Sequence, residues 1–206
     1  MDEIKNDELY NLLINNKKIF DDILINCNNS FELGSGSYLF DGKNYNYYFG
    51  MYKKQKLLFD LVKNCTSVLE IGTYMGHSLF IMLLSNPKLD IVSIDIDDKY
   101  SVPSINVLNS NFEQNIKFIK GNSLNVLDNI TEKFDLIHID GNHDESFILE
   151  EFEKCKKNAR GTYKVLFDDV ISMPNVENHI LKNYKILNYI KPDCEWNNCF
   201  FEIELK

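Results

Sequence analysis

The chain has 206 residues, 44% hydrophobic and 26% charged, the profile of one soluble globular domain with a sizeable core. Its net charge of −9 makes nucleic acid a poor partner, because a phosphate backbone is repelled. No apolar run approaches the roughly 20 residues of a membrane span, and Met1 to Glu8 lack the apolar stretch of a signal peptide. The cysteines, Cys27, Cys65, Cys155, Cys194 and Cys199, are odd in number and form no Cys-x-x-Cys pair. They read as reduced core thiols of a cytoplasmic protein.

Residues 1 to about 30 carry Leu9, Leu12, Leu13, Ile19, Phe20, Ile23 and Leu24 at helical spacing. Asn28 to Tyr48 reads as loop, with a Tyr-rich patch and Gly34-Ser-Gly-Ser37; no Lys-Ser/Thr follows, so this is not a phosphate loop. A helix over Gln55 to Lys63 leads to Val68-Leu-Glu-Ile-Gly-Thr-Tyr-Met-Gly-His-Ser78, which is a buried strand, a glycine turn and a helix start. That helix runs through Leu84 and stops at Asn86-Pro87. Asp90–Asp95 is a second strand and Val102 to Asn111 a short helix. Ile116 to Lys120 is a third strand ending in Gly121-Asn-Ser123, and Phe134 to Ile139 a fourth ending in Asp140. Glu145 to Lys157 is helical, Lys164 to Phe167 a fifth strand ending in Asp168-Asp169, and Val176 to Asn183 helical. Tyr184 to Ile190 and Cys199 to Leu205 close the chain as two strands.

Strands alternating with helices argue for a parallel α/β sheet, and right-handed crossovers bring every parallel strand's carboxyl end to one rim. Glu70, Asp95, Asn122, Asp140, Asp168 and Asp169 should meet there. The spacing Glu-x-Gly-x-x-x-Gly differs from the Gly-x-Gly-x-x-Gly that seats a dinucleotide pyrophosphate, and its carboxylate suits an amine-bearing ligand. Asp95, one strand later, stands where an acid accepts ribose hydroxyls; the bland alternative is a solvated turn, with Asp97 and Asp98 alongside.

Glu70-Ile-Gly-Thr-Tyr-x-Gly-x-Ser78 resembles motif I of class I S-adenosylmethionine (SAM)-dependent methyltransferases, most closely the small O-methyltransferases of the catechol and macrocin/sugar types. The resemblance runs from about Tyr52 to the C-terminus. It implies a single Rossmann-like α/β domain, with a mostly parallel seven-stranded sheet and an antiparallel last strand. Residues 1–52 would be an N-terminal helical extension, able to act as a lid, and 53–206 the catalytic core. The implied cofactor contacts are Glu70, Gly72, Thr73, Tyr74, Gly76, Ser78 and Asp95, with Asn122 and Ser123 at the adenine. Asp140-Gly-Asn-His143 and Val165-Leu-Phe-Asp-Asp169 resemble the metal-binding pair of the same enzymes. Asp140, Asp168 and Asp169 would then hold Mg²⁺ or Mn²⁺, and oxygen ligands suit such hard ions. Asp140 and His143 would act on the acceptor, His143 as the base; His143 is equally readable as a loop residue against the cofactor. The acidic rim has its own bland reading, one Asp capping the next helix.

The expected function is methyl transfer from SAM to a hydroxyl of a small molecule or sugar, with homo-oligomerisation left open. Two rivals are a non-catalytic SAM-fold binding subunit and a nicotinamide-dependent oxidoreductase, and the glycine spacing disfavours the second.

Overall fold

The computed structural model describes residues 4–113, 116–169 and 173–205; the first three residues of the expected N-terminal helical region fall outside them. The strands are β1 (Ser67–Ile71), β2 (Asp90–Asp95), β3 (Lys117–Lys120), β4 (Leu136–Ile139), β5 (Tyr163–Phe167), β6 (Ile186–Ile190) and β7 (Cys199–Ile203). They form one sheet in the order β3-β2-β1-β4-β5-β7-β6. The first five strands pair in parallel, and β7 runs antiparallel between β5 and β6. This is the Rossmann-like methyltransferase sheet that the sequence reading expected. The chain lays β2 and β3 on one side of β1 and returns with β4 on the other. The crevice between β1 and β4 is therefore the topological switch point, where open α/β sheets bind ligands.

The helices are α1 (Glu8–Asn15), α2 (Lys17–Asn26), α3 (Tyr52–Val62), α4 (His77–Ser85), α5 (Ser101–Asn111), α6 (Ser123–Leu127), α7 (Glu145–Cys155) and α8 (Pro174–Asn183). One core holds Leu9, Phe20, Leu58, Leu79 and Leu108, from α1 to α5, against Val68, Leu136 and Leu166 of the sheet. The other holds Leu127, Phe152 and Ile180, from α6, α7 and α8, against Leu69, Ile137 and Val165. Alternate residues of β1 thus serve opposite faces, as a pleated strand requires.

Three local features differ from the sequence expectation. Asn16 separates α1 from α2, and its side chain donates back to the Leu12 carbonyl at 2.9 Å, closing the first helix. Helix α3 begins at Tyr52, whose hydroxyl donates to Asp7 (2.5 Å), the residue that caps α1. Ser123 opens the unexpected short helix α6, because Asn122 caps it by accepting from the Leu124 amide at 3.0 Å.

Candidate active site

The strand tips meet because the parallel ladder continues one residue past each strand. The Gly72 amide donates to the Ile94 carbonyl (2.8 Å), the Asp140 amide to Ile71 (2.7 Å), the Asp168 amide to Ile139 (3.0 Å) and the Gly121 amide to Asp95 (2.8 Å). Gly72, Asp95, Asn122, Asp140, Asp168 and Asp169 consequently line one cleft of about 1000 Å³, with Thr73, Tyr74, Ser78, Ser123 and His143.

The turn after β1 is held from below by Asp95. Its Oδ2 accepts from the Thr73 amide (2.9 Å), the Tyr74 amide (2.8 Å) and the Ser101 hydroxyl (3.2 Å), and its Oδ1 from the Asp97 amide (3.0 Å). Those bonds fix the loop in which Gly72 has φ +91° and Tyr74 φ +45°.

Glu70 departs from the expectation of a direct cofactor contact. It is completely buried and does not line the cleft. The register explains why: Glu70 lies between Ser93 of β2 and His138 of β4 in one row across the sheet. Its carboxylate accepts from Ser78 Oγ (2.5 Å) and Ser93 Oγ (2.9 Å) and meets His138 Nδ1 at 3.2 Å. His138 Nε2 in turn meets the Tyr38 hydroxyl at 2.9 Å. Glu70 therefore braces the start of α4 beneath the loop. Gly76, which caps α4 with φ +66°, also lies outside the cleft lining.

At the far end of the cleft the Ser123 hydroxyl donates to Glu151, a residue the sequence reading passed over. Glu151 is 1% exposed, its Oε2 has no protein partner, and burial raises its carboxyl to about 7.

The acidic end holds the largest surprise. Lys54, 2% exposed, reaches from α3 and donates to Asp168 Oδ2 at 2.6 Å and Asp169 Oδ1 at 3.3 Å. The ammonium also lies 4.7 Å from the centre of the Tyr38 ring. Burial works against its charge, yet the carboxylates of Asp168, Asp169 and Asp140 outweigh that and raise its pKa. Desolvation and the Asp168 charge push both Asp140 and Asp169 upward; Asp140, although it opens to the cleft, goes well above the usual carboxylate range. The signal in the sequence was a lysine on the buried face of an amphipathic helix, one turn before Leu58 and two before Val62.

These residues do not fit a divalent ion as they stand. Mg²⁺ needs oxygens at about 2.0–2.1 Å, and the oxygens facing one another are already bridged by an ammonium. Asp168 Oδ1 is buried without a partner, which would favour an ion, but one oxygen is not a coordination set. Among the described residues, no three His, Cys, Asp or Glu side chains are grouped to hold a metal. The expected Mg²⁺ or Mn²⁺ centre on Asp140, Asp168 and Asp169 is thus not supported by the donor geometry. His143 stands exposed at the mouth, where its charge acts on Asp169. Trp196 lines the mouth as well, whereas Cys199 is buried inside β7.

The segment before α3 walls the cleft. Gln55 Nε2 donates to the carbonyls of Tyr38 (2.7 Å) and Tyr48 (3.0 Å), and the Glu32 amide donates to Tyr74 Oη (2.9 Å). His77 pins the same wall, with Nδ1 at 2.5 Å from Ser37 Oγ and Nε2 at 2.9 Å from Tyr45 Oη. Burial lowers His77 to about 3, against an ordinary 6.5. Below pH 6.5 the unfolded chain takes up a proton that the folded chain refuses. This contribution to stability is therefore complete above pH 6.5 and is lost as pH falls toward 3, by about 1.4 kcal/mol per pH unit. Urea unfolding at pH 7.5 and pH 5 should show that loss, and His77→Gln should flatten it. An equal pH dependence in both proteins would remove His77 as the cause.

Residues 69–170 match the family model Methyltransf_24, described as a methyltransferase domain. A comparison with curated proteins finds no match. Among solved structures, the chain is similar to an O-methyltransferase from Bacillus cereus in complex with S-adenosylhomocysteine (SAH), at 16% identity and TM-score 0.68, covering 91% of each chain. It is similar to the O-methyltransferase TomG from Streptomyces achromogenes in complex with SAM, at 18% identity and TM-score 0.62, covering 74% of this chain and 80% of that one. It is also similar to the N-methyltransferase NodS from Bradyrhizobium japonicum with SAH, at 12% identity and TM-score 0.59, covering 75% and 86%. With its strand order and switch-point cleft, the chain has the Rossmann-like methyltransferase fold, and its residues 69–170 match a methyltransferase domain.

Proposed function

We propose that this protein transfers a methyl group from SAM to a hydroxyl oxygen of a small molecule or sugar. The observation that carries the reading is the cleft at the switch point, with a glycine turn and Asp95 at one end and Lys54 among three carboxylates at the other. Bound SAM supplies a methyl group on a sulfonium centre, which is already activated, so the protein's work is chiefly positioning and the exclusion of water. Asp95 accepts a ribose hydroxyl at Oδ1, which takes the Asp97 amide alone, whereas Oδ2 is filled by Thr73, Tyr74 and Ser101. Gly72, Thr73 and Tyr74 face the amino-acid portion, with Glu70 acting only through Ser78. Asn122, Ser123 and Glu151 face the adenine. At the acceptor end, Asp140 orients the hydroxyl and His143 takes its proton at an imidazole nitrogen. The Lys54 ammonium favours an oxygen that gains negative charge over an amine that carries its own positive charge.

The wall from Gly34 to Tyr52 closes over the cofactor in this reading, which makes residues 1–52 part of the binding machinery. Calorimetry with SAH and, separately, with NAD tests the proposal. Binding of SAH alone is expected, accompanied by slower amide hydrogen exchange between Gly34 and Tyr52. Binding of NAD in place of SAH would overturn the function, and unchanged exchange would leave the wall a static one.

A further inference from the structure

We propose that the Lys54 side chain is a built-in replacement for a divalent cation in the acceptor half of this cleft. The inference rests on the methyltransferase reading above and adds the identity of the charge that balances the site. Carboxylates crowded at adjacent strand tips repel one another and retain protons unless a cation lies between them. Here the cation is covalently part of α3. Its position is over-determined: Asp168 and Asp169 take two of its three donors, and the Tyr38 ring covers it. Tyr38 is itself held by His138 and by Asn198 Nδ2 (3.3 Å), and Asn198 also donates to the Lys54 carbonyl (3.3 Å). Neither Lys54 nor Asn198 has more than 2% of its surface exposed. An ammonium in that setting is a fixed part of the fold, in contrast to a flexible surface lysine that an arriving ion could push aside.

An ammonium carries half the charge of Mg²⁺ and offers hydrogen bonds in place of open coordination positions. An acceptor oxygen in this cleft therefore meets an N–H donor, and its proton leaves to a side chain. Lys54 is in these terms a positioning and charge-balancing residue for the acceptor.

The test is Mn²⁺ binding, followed by electron paramagnetic resonance on the full-length protein in the presence of SAH. Wild type is expected to bind no Mn²⁺ at this site up to millimolar concentration, and Lys54→Arg, which keeps the charge, is expected to match it. Lys54→Met removes the charge at similar length and should gain Mn²⁺ affinity by at least tenfold. The double variant Lys54→Met/Asp168→Asn should lose that gain. Thermal unfolding of Lys54→Met with and without Mn²⁺ reads the same effect independently, since the ion should raise its Tm and leave the wild-type Tm unchanged. If wild type binds Mn²⁺ at micromolar concentration and Asp168→Asn abolishes the binding, the proposal is overturned. It is equally overturned if a folded Lys54→Met gains no affinity. Should Lys54→Met not fold, the wild-type titration decides alone. SAH affinity is read in the same samples: its loss in wild type would sink the proposed function and leave the ion result standing.

Discussion

Gly72→Ala should be the most damaging single-methyl change in this molecule. A Cβ at Gly72 would lie 2.1 Å from the Asp140 carbonyl oxygen and 2.5 Å from its carbon. Both are backbone atoms, held there by the bond from the Asp140 amide to Ile71, so no flexible side chain can yield. The φ of +91° adds strain for any residue with a Cβ. The clash forces β1 and β4 apart at the switch point, and we expect a loss of about 4 kcal/mol or more, with Tm falling by on the order of 10 °C. SAH binding should go with it, since Asp140, Thr73 and Tyr74 all move. Thermal unfolding and calorimetry check this, and wild-type values in both would mean that the strand tips are not as close as described. The obstruction is the backbone of the neighbouring strand's tip.

Asp95→Ala should weaken SAH binding by about 100-fold, equivalent to about 2.7 kcal/mol. Two losses combine. The amides of Thr73 and Tyr74 lose a charged acceptor, so the turn is no longer held in its left-handed conformation. The ribose hydroxyls lose their partner as well. Asp95→Asn separates the two, because an amide oxygen can still accept from the loop but carries no charge; it should fall between wild type and alanine. Calorimetry on the three proteins is the measurement. Equal affinities for wild type and Asp95→Ala would eliminate the ribose role and leave a structural acid.

Much of this architecture was legible because each parallel strand is a short apolar run that stops at a polar residue. That pattern located β1, β2, β4 and β5 and put Asp95, Asp140, Asp168 and Asp169 on a common rim. It could not distinguish a polar residue at the tip from one inside the last pleat. Glu70 follows an apolar run just as Asp95 does, yet one precedes the end of its strand and points into the core. Only the register, with Ser93 and His138 on either side, reveals that Glu70 belongs to an internal network. At the acidic end the sequence led to the expectation of a divalent ion among Asp140, Asp168 and Asp169; the structure brings in the Lys54 ammonium from 114 residues before Asp168, and no local spacing connects them. Lys54 and Glu151 each had a trace in the helical pattern, as a charged residue on an apolar stripe, but the partners of both, like those of His77, are set by tertiary packing.

The reach of Lys54 also bears on how the chain folds. The contact between α3 and the end of β5 has a large sequence separation, so it can form only after the sheet has assembled through β5, and long-range contacts of this kind slow folding. Until then Lys54, Asp168 and Asp169 remain hydrated, and burying either sign alone would be costly. We therefore expect the ion pair to form in the final locking of the molecule, after the rate-limiting step. Weakening it should leave the refolding rate nearly unchanged and accelerate unfolding, so the interaction that balances the site also sets how long the native state persists once formed.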